Sequence, residues 1–198
     1  MKNIKSILFL ALAFGTLSSC TEEDAYEIPT FKTTLLKEDF QGTSDLATLG
    51  WDVVAQQGTK NWGIATFQED RYTEFTSFGS GQALNIAWLI SPEIDMDLVE
   101  GEKVYFQSAH NFLTHLDNTL ELMVSTDYDG TNFAQASWVK VNAKTVTPDN
   151  ARNVWVPSGA VDISNFTGKV HIAFKVTGSG TNTNLDGTFR VDNVHVYN

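Results

Sequence analysis

The stretch Lys169-Val170-His171-Ile172-Ala173-Phe174-Lys175-Val176 alternates bulky apolar residues with His, Ala and Lys. A period of two places Val170, Ile172, Phe174 and Val176 on one face of an extended strand, and His171, Ala173 and Lys175 on the other. A helix would scatter the same residues around its axis, so the pattern predicts a half-buried strand. Similar runs, rich in Val, Ile, Phe, Tyr, Trp and Thr, occupy 82–90, 103–109, 120–125, 137–141 and 188–197. Weaker ones lie at 33–40, 51–55, 61–66, 71–75 and 153–156, with Gly, Asn, Asp and Pro between them. No amphipathic run of helical period exceeds about two turns, although 162–166 has room for one turn. Roughly nine to eleven strands with irregular loops predict an all-β, two-sheet antiparallel sandwich.

Two local signals refine this expectation. In Phe189-Arg190-Val191-Asp192-Asn193-Val194-His195-Val196-Tyr197 the inward parity passes from Phe189 and Val191 to Val194 and Val196. A β-bulge across Asp192-Asn193 is the simplest cause, and bulges re-aim side chains. Ser125-Thr126-Asp127-Tyr128-Asp129-Gly130 reads as a hairpin turn after a buried strand. With no internal repeat and no second composition regime, 33–198 is expected to be one domain.

The N-terminus carries a different message. Lys2 and Lys5 precede an apolar run over 7–14, too short for a membrane span of about 20 residues. Leu17-Ser18-Ser19-Cys20 resembles a bacterial lipobox, which makes 1–19 a signal peptide and Cys20, the only cysteine, the site of lipidation. Several acyl chains there would hold the protein on a membrane. Thr21-Glu22-Glu23-Asp24 resembles the export tag of Bacteroidetes lipoproteins displayed on the outer face of the outer membrane; a solvated tether with incidental charge is the alternative. Residues 20–32 are then the anchor and flexible tether.

Removing 1–19 takes away two lysines and leaves 11 basic against 24 acidic residues, a charge of −13. Such a surface argues against nucleic acid, whose phosphates demand Lys and Arg. It suits a soluble domain beside a membrane, or one that collects divalent cations. Without cysteine beyond position 20, packing or a metal must hold the fold.

Ala87-Trp88-Leu89-Ile90-Ser91-Pro92-Glu93-Ile94-Asp95-Met96 resembles the Trp-Leu-Ile-Ser-Pro signature of choice-of-anchor J and cleaved-adhesin domains. Further matching stretches are Lys37-Glu38-Asp39-Phe40, Gly50-Trp51, Asn61-Trp62-Gly63, 124–130 with Ser137-Trp138-Val139, and the closing 189–197. The resemblance implies a jelly roll of the galactose-binding or MAM type, adhesion or binding rather than catalysis, and often structural calcium. In similar domains the calcium site lies where the first strand meets the last, which here points to Glu38, Asp39 and Asp192. Solvated charges at 38 and 39 with a turn-capping Asp192 are the alternative.

Segment 125–133 resembles the Asp-box hairpin with one extra residue before Gly130, a structural device, with Asp127 and Asp129 as turn stabilisers and metal ligation by them as the alternative. His110 and His115 stand five apart, so on a strand they face opposite ways and make no zinc site. His171 and His195 are expected to face out. No serine sits in a Gly-x-Ser-x-Gly elbow, and paired acids such as Asp95/Asp97 are too common here to support a glycosidase. A sugar-binding face needs exposed rings beside polar groups. Trp51, Trp62 and Trp88 are expected in the core, leaving Tyr72, Phe75, Phe78, Tyr128, Phe133 and Trp155 as candidate ligand contacts. The expected function is a surface-anchored, non-catalytic module that binds a glycan or a surface protein. An accessory lipoprotein docking a bacterial partner, and more remotely a glycoside hydrolase, are the alternatives.

Overall fold

A computed structural model describes residues 32–198. The signal peptide 1–19, Cys20 and the tether as far as residue 31 lie outside the described residues.

Thirteen strands occur among the described residues: β1 (Thr34–Glu38), β2 (Asp52–Gln57), β3 (Gly63–Phe67), β4 (Asp70–Thr76), β5 (Asn85–Ile90), β6 (Ile94–Asp95), β7 (Lys103–Asn111), β8 (Thr119–Ser125), β9 (Val139–Val141), β10 (Val156–Pro157), β11 (Val161–Asp162), β12 (Lys169–Gly178) and β13 (Thr188–Tyr197). They form two antiparallel sheets packed as a jelly-roll sandwich. One sheet runs β10-β7-β13-β4-β3, with β1 beside β13 and β11 beside β7. The other runs β2-β5-β12-β8-β9, with β6 beside β12. The two-residue strands β6 and β11 escape a reading by alternation because they are too short to show a period.

The core lies between the sheets. Val170, Ile172, Phe174 and Val176 of β12 meet Val104 and Phe106 of β7 and Phe189, Val191, Val194 and Val196 of β13. Phe174 forms the centre, edge-on to Phe106 at 4.9 Å and stacked with Trp51 at 6.5 Å. Phe40 lies 5.4 Å from Trp51, and Trp62 packs on Phe75 at 5.9 Å. Each of these side chains is buried. Fully burying a large apolar side chain contributes about 1.5–3 kcal/mol, so this aromatic row substitutes for disulfides.

The bulge read from the sequence is present. The β13–β7 register shifts between Asp192 and His195, and Asn193 takes φ 52°. Above the bulge β13 pairs with β4, from Thr188 opposite Thr76 to Val191 opposite Thr73; below it β13 pairs with β1, with Glu38 opposite Val194. Ser91 explains the Ser-Pro break between β5 and β6. Its Oγ accepts from Ile172 N at 3.1 Å, and its carbonyl lies 2.7 Å from His171 Nδ1.

The half-buried reading of β12 needs correction. His171 and Ala173 point away from the main core, yet both are buried. Loop 126–138 folds back over that outer face and lays Tyr128, Phe133 and Trp138 across Trp88. Trp88 belongs to this second apolar layer rather than to the core between the sheets. The hairpin expected after β8 is present, with β9 as its second strand, and its thirteen-residue loop forms a lid pinned by its acids. Asp127 accepts from Ser137 N and Ser125 Oγ, both at 2.8 Å, and Asp129 accepts from Thr131 N and Asn132 N. The Ser137 and Ser125 bonds hold the Asp127 carboxyl below the usual carboxylate range.

Candidate ligand-binding face and cation corner

The outer face of the first sheet is not covered in this way. Alternation along β4 sends Thr73 and Phe75 inward and Tyr72, Glu74 and Thr76 outward. Register then builds two rows across three strands: Thr76, Thr188 and Asn111 form one, and Glu74, Arg190 and Ala109 the other. Arg190 donates from Nε to Glu74 Oε2 at 2.7 Å and from a terminal nitrogen to Asn153 Oδ1 at 2.6 Å. Its guanidinium also lies over the Tyr72 ring, 5.1 Å from the centroid. Tyr72 in turn meets Trp155 edge-on at 5.5 Å. Burial raises the Tyr72 phenol above its ordinary value against the opposing pull of Arg190.

Two clefts flank this floor and share Asn111 and Arg190. The larger, about 560 Å³, is walled by Phe78 after β4, by Phe112 and Thr114 after β7, and by Thr183 and Asp186 from the β12–β13 loop. Thr114 Oγ1 donates to Asn184 O at 3.2 Å and ties two of these walls together. The smaller, about 350 Å³, is lined by Phe67, Asp70, Tyr72, Asn153 and Trp155. Phe67, Phe78 and Phe112 are 66%, 68% and 56% exposed, so three rings stand in solvent around polar groups.

Backbone strain marks the same place. Phe112 and Asn153 both have positive φ, 57° and 59°. Asn tolerates this conformation, but for a bulky aromatic residue it is an outlier that costs about 1–2 kcal/mol. The turn is held from behind: Leu113 N donates to His110 Nδ1 at 3.3 Å, and Asn153 N donates to His110 O at 2.8 Å. His110 is thus a buried scaffold residue, whereas His115 is exposed in the following loop.

The six aromatic residues singled out from sequence are scattered. Phe78 stands on the larger cleft, and Tyr72 and Trp155 line the smaller. Phe75 is 1% exposed and lies in the core, because three residues from Tyr72 on a strand means the opposite face. Tyr128 and Phe133 belong to the lid on the other sheet. Burial first, and then the Asp52 carboxylate that accepts its hydroxyl at 3.0 Å, push the Tyr128 phenol up to about 12. Phe67, Asn111, Phe112, Asn153 and Arg190 were not singled out by sequence reasoning. The parity of β4 and β13 held a signal for Arg190, and the loop-borne rings had none.

At the other end of the bulge, Asp192 is buried on the sheet's outer side. Burial raises its carboxyl to about 7 against the Asn193 backbone hydrogen bond, and Asp70, Asp39 and Glu38 push it further in the same direction. Glu38 accepts from Phe40 N at 2.7 Å, and Asp39 accepts from Gln41 N at 3.1 Å. Gln41 Nε2 reaches Asp70 Oδ1 and Arg71 O, both at 2.9 Å, joining the two acidic turns. Oxygen-only and acidic, with Asp192 buried, Glu38 half-buried and Asp39 and Asp70 exposed, this donor set suits a hard cation such as calcium in kind. Among the described residues no three His, Cys, Asp or Glu side chains stand close enough to hold a metal ready-made. Asp70 is the member the sequence did not single out, because only the β4–β13 pairing brings it near.

Comparison with known proteins follows the fold. The K3 cleaved adhesin domain of Lys-gingipain from Porphyromonas gingivalis superposes with a TM-score of 0.53 at 18% identity, covering 84% of this chain and all of that domain. The K1 domain of the same protein gives 0.47 at 20% identity, covering 83% and 97%. The CBM22-2 xylan-binding domain of Paenibacillus barcinonensis Xyn10C gives 0.48 at 16% identity, covering 82% and 98%. At these identities the likeness is one of fold. No curated protein matches the sequence. A family described as a domain of unknown function, DUF5017, matches residues 65–198, and the chain belongs to that family.

Proposed function

We propose that this protein is a non-catalytic binding module whose ligand is a glycan, taken up on the outer face of the β4–β13–β7 sheet. The observation that carries the reading is the larger cleft, where exposed Phe78 and Phe112 stand beside Asn111, Asp186 and four threonines. Rings that stack on sugar C–H faces, edged by amide, hydroxyl and carboxylate groups, are what sugar recognition requires. The fold likeness to a cleaved adhesin domain agrees with a binding role. Glu74, the acid at the centre of the face, is engaged by Arg190, which supports binding over acid–base chemistry.

Lipidated Cys20 and the acidic residues after it would tether this module to the outer membrane, facing outward; loss of labelled fatty acid from Cys20→Ala would test the anchor. Calcium would bind at the Glu38–Asp192 corner, with Asp39 and Asp70 beside it, and the side chains would have to close on the ion. There it would neutralise clustered carboxylates and fix the first strand to the last.

A glycan array probed with the parent protein and with Phe78→Ala, in calcium, tests the binding role. Binding by the parent and its loss in the variant are expected. Equal signals from both would move the site elsewhere, and a blank array would favour a protein ligand.

A further inference from the structure

Resting on the glycan reading, we infer that the ligand is an extended, uncharged oligosaccharide chain that lies along β4 across both clefts, with the Arg190–Glu74 pair as the floor between them. Three observations carry this. First, the clefts adjoin, sharing Asn111 and Arg190 in their walls, and exposed rings stand at the two ends: Phe67 in the smaller cleft, Phe78 in the larger. Asp70, beside Phe67, and Thr76, two residues before Phe78, are the two ends of the seven-residue β4, six steps apart. At roughly 3.3 Å per residue the face is about 20 Å long, the length of a chain of several sugar rings rather than a terminal sugar.

Second, the charges select against acidic ligands. Among the described residues that line the clefts, Arg190 is the one cation, facing Glu74, Asp186 and Asp70. Two of its five donors are directed to Glu74 and Asn153, and one guanidinium among three carboxylates leaves a uronate or sulfate facing net negative charge. Arg152 stands near the face, with its guanidinium 4.7 Å from the Phe112 ring centroid, but it does not line either cleft. Third, Phe112 keeps its strained backbone where its ring walls the larger cleft, and such strain gathers at functional positions.

Calorimetric titration of the full protein with gluco-, galacto- and xylo-oligosaccharides, from disaccharide to hexasaccharide, tests the length. Oligogalacturonates of equal length test the charge. For the neutral series that binds, affinity should rise at least tenfold from disaccharide to hexasaccharide. Phe67→Ala, an exposed side chain whose loss spares the core, should erase much of that gain. Acidic chains should bind at least tenfold more weakly than neutral ones.

Equal affinity for short and long chains, or tighter binding of the acidic series, overturns the inference while leaving a glycan-binding face in place. Absence of binding to every glycan, here and on the array, overturns both.

Discussion

Arg190 and Glu74 face each other across the β13–β4 pair, joined Nε to Oε2 at 2.7 Å, with side chains only 17% and 28% exposed. A partly buried pair of this kind orients more than it stabilises, since desolvation offsets much of the attraction. Its fork is also used: one nitrogen goes to Glu74 and another to Asn153. Arg190→Lys keeps the charge but cannot serve both partners. It is expected to cost about 1–2 kcal/mol of stability and to weaken glycan binding several-fold, read by denaturant unfolding and by titration.

Phe112 separates stability from function. In Phe112→Gly the left-handed conformation becomes unstrained, although the unfolded chain gains freedom and the Arg152 contact is lost. These terms nearly cancel, so the melting temperature should stay within about 3 °C of the parent while glycan affinity falls at least tenfold. A large drop in melting temperature with unchanged affinity would show that the ring serves packing.

The lid on the opposite sheet should behave in the reverse way. Trp138 touches Trp88, Tyr128 and Phe133, and Trp138→Ala is expected to destabilise the fold by about 2–4 kcal/mol. Binding at temperatures where the variant is folded should not change, nor should it in Phe133→Ala. A selective loss of affinity in Phe133→Ala would restore the lid as a ligand surface.

Asp192 gives the fold a pH dependence with a definite sign. Its carboxyl is raised from 3.8 to about 7, so the folded state keeps a proton that the unfolded chain has released. Stability from this group is full below about pH 4 and is lost as pH rises through 7. In calcium-free buffer Asp192→Asn should flatten that part of the pH–stability curve. Calcium competes with the same proton, so its stabilising effect should grow between pH 6 and 8 and vanish in the variant. An unchanged melting temperature with and without chelator, in both proteins across that range, would remove the cation site.

Much of this architecture is legible in alternation. The parity change across Asp192-Asn193 foretold the bulge, and the apolar face of β12 foretold the core. Parity in β4 could also have divided Tyr72 from Phe75. The binding face was harder to read because its parts come from distant segments. The turns at Phe112 and Asn153 share one scaffold, His110, whose ring accepts from Leu113 N and whose carbonyl accepts from Asn153 N, bonds that no local pattern announces. Tyr128 and Phe133 resembled an exposed aromatic loop for the same reason: only the tertiary fold supplies Trp88 beneath them.

The central claim is the location of the ligand, and amide chemical-shift mapping with the tightest-binding glycan tests it most directly. The account predicts that the largest shifts fall on Thr76, Phe78, Asn111, Phe112 and Arg190, with loop 126–138 unmoved. Shifts concentrated in that loop or around Trp88, with the β4–β13–β7 face silent, would contradict it.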